Sequence, residues 1–122
     1  MKVFVYGSLK RGYWNSTILM DSEFLFKATT VDSVYDMFDL GSFPAVVKDG
    51  DSKIEGEVYK IKGRTIQMLD ALEGNGSFYN REEILVTDGN KEVSAWIYIY
   101  CGTLGSMVSR YPSRMNLWYE NN

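Results

Sequence analysis

The sequence predicts an α+β domain with one solid helix, in which a mostly antiparallel sheet curls towards a barrel. Three observations predict it. Six or seven short runs of β-branched and aromatic residues recur along the chain, two Gly-containing turns of hairpin type join neighbouring runs, and one stretch changes to a helical period.

The first run is Val3-Phe4-Val5-Tyr6. Val3 and Val5 face one side of a strand and Phe4 and Tyr6 the other, so both sides are apolar and the strand belongs in the middle of a sheet, covered twice. Gly7-Ser8-Leu9-Lys10-Arg11-Gly12 then forms a loop with glycine at both ends. Gly7 is expected either to take positive φ or to come within contact distance of a ligand, and successive N–H groups in such a turn converge on an anion such as a carboxylate or phosphate. By itself a Gly-Ser turn after a strand is most often only a connection.

Tyr13 to Met20 reads as a short helix with Asn15 or Ser16 as its N-cap. Residues from about Leu25 to Val31, and again from Val34 to Phe38, have strand spacing. Ala45-Val46-Val47-Lys48 and Ile54 to Tyr59 flank Asp49-Gly50-Asp51-Ser52, which predicts that these two runs pair antiparallel. In Arg64 to Glu73, the residues Ile66, Leu69 and Leu72 recur three apart with Met68 and Ala71 at the edges, as on one face of a helix that Gly74 stops. Glu82-Ile84-Val86 and Val93 to Cys101 flank Asp88-Gly89-Asn90, a second hairpin. The last strand is aliphatic at its odd positions and carries Trp96, Tyr98 and Tyr100 at its even ones, an aromatic side that lines a pocket or forms core. Gly102 to Gly105 reads as a turn. From about residue 106 the chain reads as a tail in which Met115, Leu117, Trp118 and Tyr119 dock on the body.

Composition excludes several functions. The 122 residues, 45% of them hydrophobic, suit a single domain spanning 1–122 that buries about two thirds of its unfolded surface. A net charge of -3 and no basic cluster longer than Lys10-Arg11 leave no field for nucleic acid. No apolar run reaches the ~20 residues of a membrane span, and Met1-Lys2 leads directly into a strand, so no membrane partner is expected and the chain reads as cytoplasmic. Cys101 cannot form an internal disulfide, and its place in an apolar run predicts a buried, inert thiol. With no histidine, Ser-His and Cys-His pairs are excluded, and acid–base work falls to Asp, Glu, Lys or Tyr. One cysteine and no histidine supply too few soft ligands for a transition metal, so neither metal nor cofactor is expected.

Tyr6-Gly7-Ser8-Leu9-Lys10-Arg11-Gly12 resembles the opening signature of the gamma-glutamylcyclotransferase family, Tyr-Gly-Ser/Thr-Leu followed by Lys/Arg-Arg-Gly. Leu69-Asp70-Ala71-Leu72-Glu73-Gly74, followed by Phe78-Tyr79-Asn80-Arg81, resembles its second signature, a short helix ending in Glu with a Tyr-x-Arg segment after it. Two signatures in order are far more specific than one. The resemblance runs from Lys2 to about Gly102 and implies the family's fold, a small, mostly antiparallel β-barrel with one or two short helices packed against it, and a cavity beside the loop from Tyr6 to Leu9.

The resemblance also implies a reaction. In the family, the α-amine of a gamma-glutamyl group attacks its own γ-carbonyl, closing 5-oxoproline and expelling an amine or amino acid, with no protein nucleophile. The demands are to hold the α-carboxylate, to bend the chain, and to move one proton. Backbone N–H groups of Gly7, Ser8 and Leu9 would hold the carboxylate, Tyr6 and Tyr79 would be pocket wall, and Glu73 would move the proton. Arg81 would form an ion pair that orders the loop after Glu73. The residues alone favour an ordinary exposed Glu73 near a helix end; the paired signatures reverse that reading. Glu73 also sits at the negative end of the helix dipole, flanked by Leu72, Phe78 and Tyr79, and both effects raise its pKa. The matched motifs read only the gamma-glutamyl half, which glutathione, a gamma-glutamyl amino acid, a gamma-glutamyl amine and an isopeptide-like lysine adduct share. Two other readings stand beside the enzyme: a module of the same fold that binds gamma-glutamyl or related groups without turnover, and an interaction protein whose aromatic strand and tail form a partner surface.

Overall fold

The computed structural model describes residues 1–7, 19, 22–39, 44–73, 76, 78–101 and 109–110. Eight strands and one helix occupy them: β1 (Lys2–Val5), β2 (Glu23–Thr30), β3 (Tyr35–Asp39), β4 (Pro44–Lys48), β5 (Glu55–Lys60), α1 (Gly63–Glu73), β6 (Tyr79–Thr87), β7 (Glu92–Tyr100) and β8 (Ser109–Arg110). The short helix expected over Tyr13 to Met20, apart from the buried Leu19, the Gly74 stop, the turn from Gly102 to Gly105 and the docking residues of the tail lie outside the described residues. Ser109 and Arg110, which fall in the expected tail, form β8.

Five strands close a barrel in the order β1-β5-β2-β6-β7, and β4-β3-β8 make a second, three-stranded sheet. Closure depends on β1. It pairs antiparallel with β5, Val3 opposite Tyr59, and parallel with β7, Val3 opposite Trp96. Both of its faces are covered, as expected for an apolar strand at the centre of a sheet. Phe4 and Tyr6 join the inner core with Val58, Val86, Ala95, Ile97 and Ile99, while Val3 and Val5 join an outer cluster with Ile66 and Leu69 of α1. The alternation of β7 is resolved in the same way: odd positions point into the barrel, and Trp96, Tyr98 and Tyr100 face the helix side.

The β6–β7 hairpin forms where the turn residues predict it, with Tyr79 opposite Tyr100 and Thr87 opposite Glu92. Gly89 takes φ 99°, and the Asp88 carboxylate accepts the N–H groups of Asn90 at 2.9 Å and Lys91 at 3.0 Å, so side chain and glycine together set the reversal.

The other expected hairpin does not form. β4 pairs with β3, Phe38 opposite Ala45, whereas β5 lies between β1 and β2. Both edges of β5 are therefore taken. The segment after β4 serves a different purpose: Asp49 adopts φ 67°, the Gly50 N–H donates to the Val34 carbonyl at 3.0 Å, and a Cβ on Gly50 would lie 2.4 Å from Tyr35 backbone. Ser52 bridges to Tyr35, which carries the chain across β3 before it enters the barrel.

The buried stripe of α1 also differs from the expectation. Thr65, Ile66 and Leu69 are buried, but Leu72 is 44% exposed and Met68 54%. Three-residue steps precess around a helix of 3.6 residues per turn, so Leu72 falls about 120° from Ile66, whereas Glu73 falls within about 20° of it. The stripe that meets the barrel is therefore Ile66, Leu69, Asp70 and Glu73, the last two half-buried. Cys101 lies just beyond the last ladder pair of β7 and is exposed, not buried, because the strand's alternation ends at Tyr100.

Candidate active site

The site gathers where β1 ends, α1 ends and β6 begins. Glu73 is the last residue of α1, and burial raises its carboxyl from 4.5 to about 7. Leu72 and Phe78, expected to shield it, are themselves exposed, Phe78 by 63%. The groups that feel its charge are tyrosines. Tyr6, Tyr79 and Tyr98 are all raised first by burial, and the Glu73 carboxylate adds to each.

Tyr6 follows β1 and is buried, with its hydroxyl donating to the Tyr98 carbonyl at 2.7 Å. A hydroxyl so placed is a fixed part of the wall. Tyr79 opens β6, packs edge-on against Tyr100 with ring centroids 5.2 Å apart, and donates its hydroxyl to the Pro44 carbonyl at 3.1 Å. Gly7 meets the same proline: a Cβ there would lie 2.8 Å from Pro44 Cδ. Gly7 does not have positive φ, which corrects that half of the expectation; its close packing on Pro44 already requires glycine. Ser8 and Leu9 lie outside the described residues.

Arg81 makes an ion pair with the helix. Its Nε lies 3.0 Å from Asp70 Oδ1, its Nη2 donates to Asp70 Oδ2 at 3.4 Å, and its guanidinium sits over the Trp96 ring at 4.5 Å. The same Asp70 Oδ1 accepts the Tyr98 hydroxyl at 2.7 Å. Sequence reasoning assigned no role to Asp70 or Pro44, and left Tyr98 on an aromatic side that either lines a pocket or forms core. A signal for Asp70 was present in its spacing, since Ile66, Leu69, Asp70 and Glu73 follow the i, i+3, i+4, i+7 pattern of a single helix face. Nothing local could have found Pro44, which reaches the site only through the second sheet.

Among the described residues, no three of His, Cys, Asp and Glu converge as metal ligands. What the arrangement offers is one carboxyl raised by burial to about 7, near enough to Tyr6, Tyr79 and Tyr98 for its charge to act on each.

The model of the family described as gamma-glutamyl cyclotransferase, AIG2-like, matches residues 3–118. The protein MJ1514 of Methanocaldococcus jannaschii is 38% identical over 109 residues, covering 87% of this chain and 89% of its own. The gamma-glutamylcyclotransferase family protein YtfP of Escherichia coli K12 is 37% identical over 100 residues, 82% of either chain. The solution structure of Escherichia coli YtfP superposes with a TM-score of 0.67 at 35% identity, covering 93% of both chains. An AIG2-like protein from Mus musculus shares the fold, with a TM-score of 0.75 at 22% identity over 99% of this chain and 86% of its own.

Proposed function

The chain belongs to the gamma-glutamyl cyclotransferase, AIG2-like family, and from that membership we infer that it is a cyclotransferase releasing 5-oxoproline and a free amine or amino acid from a gamma-glutamyl compound. The single observation that carries the reading is the setting of Glu73, a carboxyl raised to about 7 by burial at the end of a helix, beside Tyr6 and Tyr79.

The substrate contains both reacting groups, so the protein's work is to fold it and to move a proton. Backbone N–H groups of Gly7, Ser8 and Leu9 hold the free α-carboxylate, while Tyr6 and Tyr79 wall the bent chain. The neutral α-amine attacks the γ-carbonyl carbon. As that C–N bond forms, one amine proton passes to the Glu73 carboxylate; as the bond to the leaving nitrogen breaks, Glu73 returns the proton to it. Atoms balance with no external water and no protein adduct. A base that titrates near 7 suits both halves, since about half of it is ionised and able to accept at neutral pH and its acid form still gives the proton back readily.

The test is direct. Incubation with glutathione, a gamma-glutamyl amino acid, a gamma-glutamyl amine and a gamma-glutamyl-lysine adduct should yield 5-oxoproline from at least one of them. Glu73→Gln should abolish turnover while leaving binding within about tenfold, because shape is kept and only the proton carrier is lost. Retention of more than about a tenth of kcat would refute the role, as general acid–base catalysis is worth about 10²-fold or more. A ligand-induced rise in Tm without product would favour the binding module instead.

A further inference from the structure

An edge strand carries a row of peptide groups with no strand to pair with, and on β4 that row is turned towards the site. Tyr35 exchanges both of its backbone hydrogen bonds with Ser52, donating at 3.1 Å and accepting at 2.7 Å. Its partner across the β3–β4 ladder, Lys48, is therefore a pair without a ladder bond. Bonded and non-bonded pairs alternate, so Met37 with Val46 and Asp39 with Pro44 are of the same kind. Pro44 and Val46 thus direct their peptide groups to the edge of β4 that faces away from β3, where no described strand pairs.

Groups of the site take the place of a strand. The Pro44 carbonyl accepts the buried Tyr79 hydroxyl at 3.1 Å. Burial raises the Tyr6 phenol well above its ordinary range, and a hydrogen bond from the Val46 N–H lowers it in part. Proline has no N–H, and where one would point along this edge its ring stands instead: a Cβ on Gly7 would lie 2.8 Å from Cδ and 2.9 Å from Cγ. One strand edge therefore meets the start of the loop after β1 and both phenols on which the Glu73 charge acts.

We propose that the open edge of β4 is the template on which the site is assembled, with Pro44 as its positioning residue: the ring sets where the loop begins, the carbonyl sets where Tyr79 stands, and the two cannot shift independently. The template is fixed from behind. Pro44, Ala45 and Val46 are buried, and Val46 joins the inner core together with Tyr35 and Met37. Proline suits this duty because it locks φ and, on an edge, gives up no ladder bond. The two phenols are held unequally. Tyr6 is bonded on both sides, to β4 and, at 2.7 Å, to the Tyr98 carbonyl, whereas the described bond of the Tyr79 hydroxyl is the one to Pro44. A displacement of Pro44 therefore reaches Tyr79 before Tyr6.

The proposal takes its purpose from the cyclotransferase reading, in which the loop grips one end of the substrate while Tyr79 walls the reacting end, but its test does not need turnover. The ring carbon that bears the Tyr79 hydroxyl is followed by NMR in the wild type, Gly7→Ala, Pro44→Ala and the double variant, with kcat/KM and Tm recorded in parallel. Gly7→Ala drives a Cβ into the proline ring, so it should shift the Tyr79 resonance and lower kcat/KM about 10²-fold, the loss expected for a displacement of about 1 Å. Pro44→Ala removes both Cγ and Cδ and keeps the carbonyl, so adding it should return the resonance towards the wild type and recover kcat/KM about tenfold or more over Gly7→Ala. A ring that only packs would lower Tm and leave Tyr79 and kcat/KM of the folded protein unchanged. An unmoved Tyr79 resonance in Gly7→Ala, or a double variant no better than Gly7→Ala, would overturn the proposal. Should Gly7→Ala not fold, Pro44→Ala decides: its acceptor is kept, so an unmoved Tyr79 resonance refutes the positioning role and a shifted one supports it. If the resonances follow the expected pattern while no gamma-glutamyl compound yields 5-oxoproline, the positioning role stands and the cyclotransferase reading falls.

Discussion

A Cβ on Gly7 would lie 2.8 Å from Cδ and 2.9 Å from Cγ of Pro44, so the loop after β1 begins with glycine because a proline of the second sheet fills the space of its side chain. The proline cannot easily give way. It is buried, and its carbonyl accepts the Tyr79 hydroxyl at 3.1 Å, so one residue of β4 sets both the start of the loop and the orientation of a wall tyrosine.

Gly7→Val should therefore damage activity more than folding. Overpacking costs about 1–3 kcal/mol, which a domain with about 5–15 kcal/mol of stability tolerates, whereas a displacement of about 1 Å in the neighbouring N–H groups lowers the rate about 10²-fold. Ser8→Ala keeps the backbone donors and should retain most activity. Measuring kcat/KM and Tm for both variants decides the point; an active Gly7→Val beside an inactive Ser8→Ala would give the work to the hydroxyl.

The Tyr6 hydroxyl donates to a backbone carbonyl in a buried place, so its removal is expected to act on stability. Tyr6→Phe strands the Tyr98 carbonyl and should cost about 1–3 kcal/mol in denaturant unfolding, with kcat/KM kept within about tenfold. A loss of activity with an unchanged unfolding midpoint would instead make the hydroxyl a participant in the reaction.

Glu73 also links stability to pH, with a sign opposite to that of a salt-bridged carboxylate. Its folded value of about 7 exceeds its ordinary 4.5, so between these pH values the native state binds more protons than the unfolded one and stability falls as pH rises. Glu73→Gln should be close to neutral for stability at pH 5 and stabilising at pH 8, by up to about 3 kcal/mol and less in proportion to the carboxyl's partial contact with water. Urea unfolding at the two pH values measures it, and equal differences at both would contradict the raised value.

If the N–H groups of Gly7 to Leu9 hold the α-carboxylate, amidating that group on the substrate should lower kcat/KM by about 2 kcal/mol or more, the loss expected for a charge-assisted hydrogen bond in a partly buried site. Changing the leaving amine should matter less. Equal kcat/KM for the free acid and its amide would rule out the anion-binding role.

What the chain alone determined is what neighbours in sequence can specify. The doubly apolar β1, the β6–β7 hairpin with glycine at φ 99°, the extent of α1 and the two motifs that bracket the site are all legible in spans of about ten residues, because side-chain period and turn chemistry are local properties. Tertiary structure decided the rest. Strand partners are chosen among edges far apart in sequence, so a turn-like Asp49-Gly50 could not reveal that β4 would join β3 while β5 gave both its edges to the barrel. The buried stripe of α1 was hidden for another reason. Asp70 and Glu73 occupy apolar positions of the helix period, and a polar residue on a buried stripe reads as an exposed one until Arg81, Tyr98 and Tyr79 are brought against it from strands it does not adjoin.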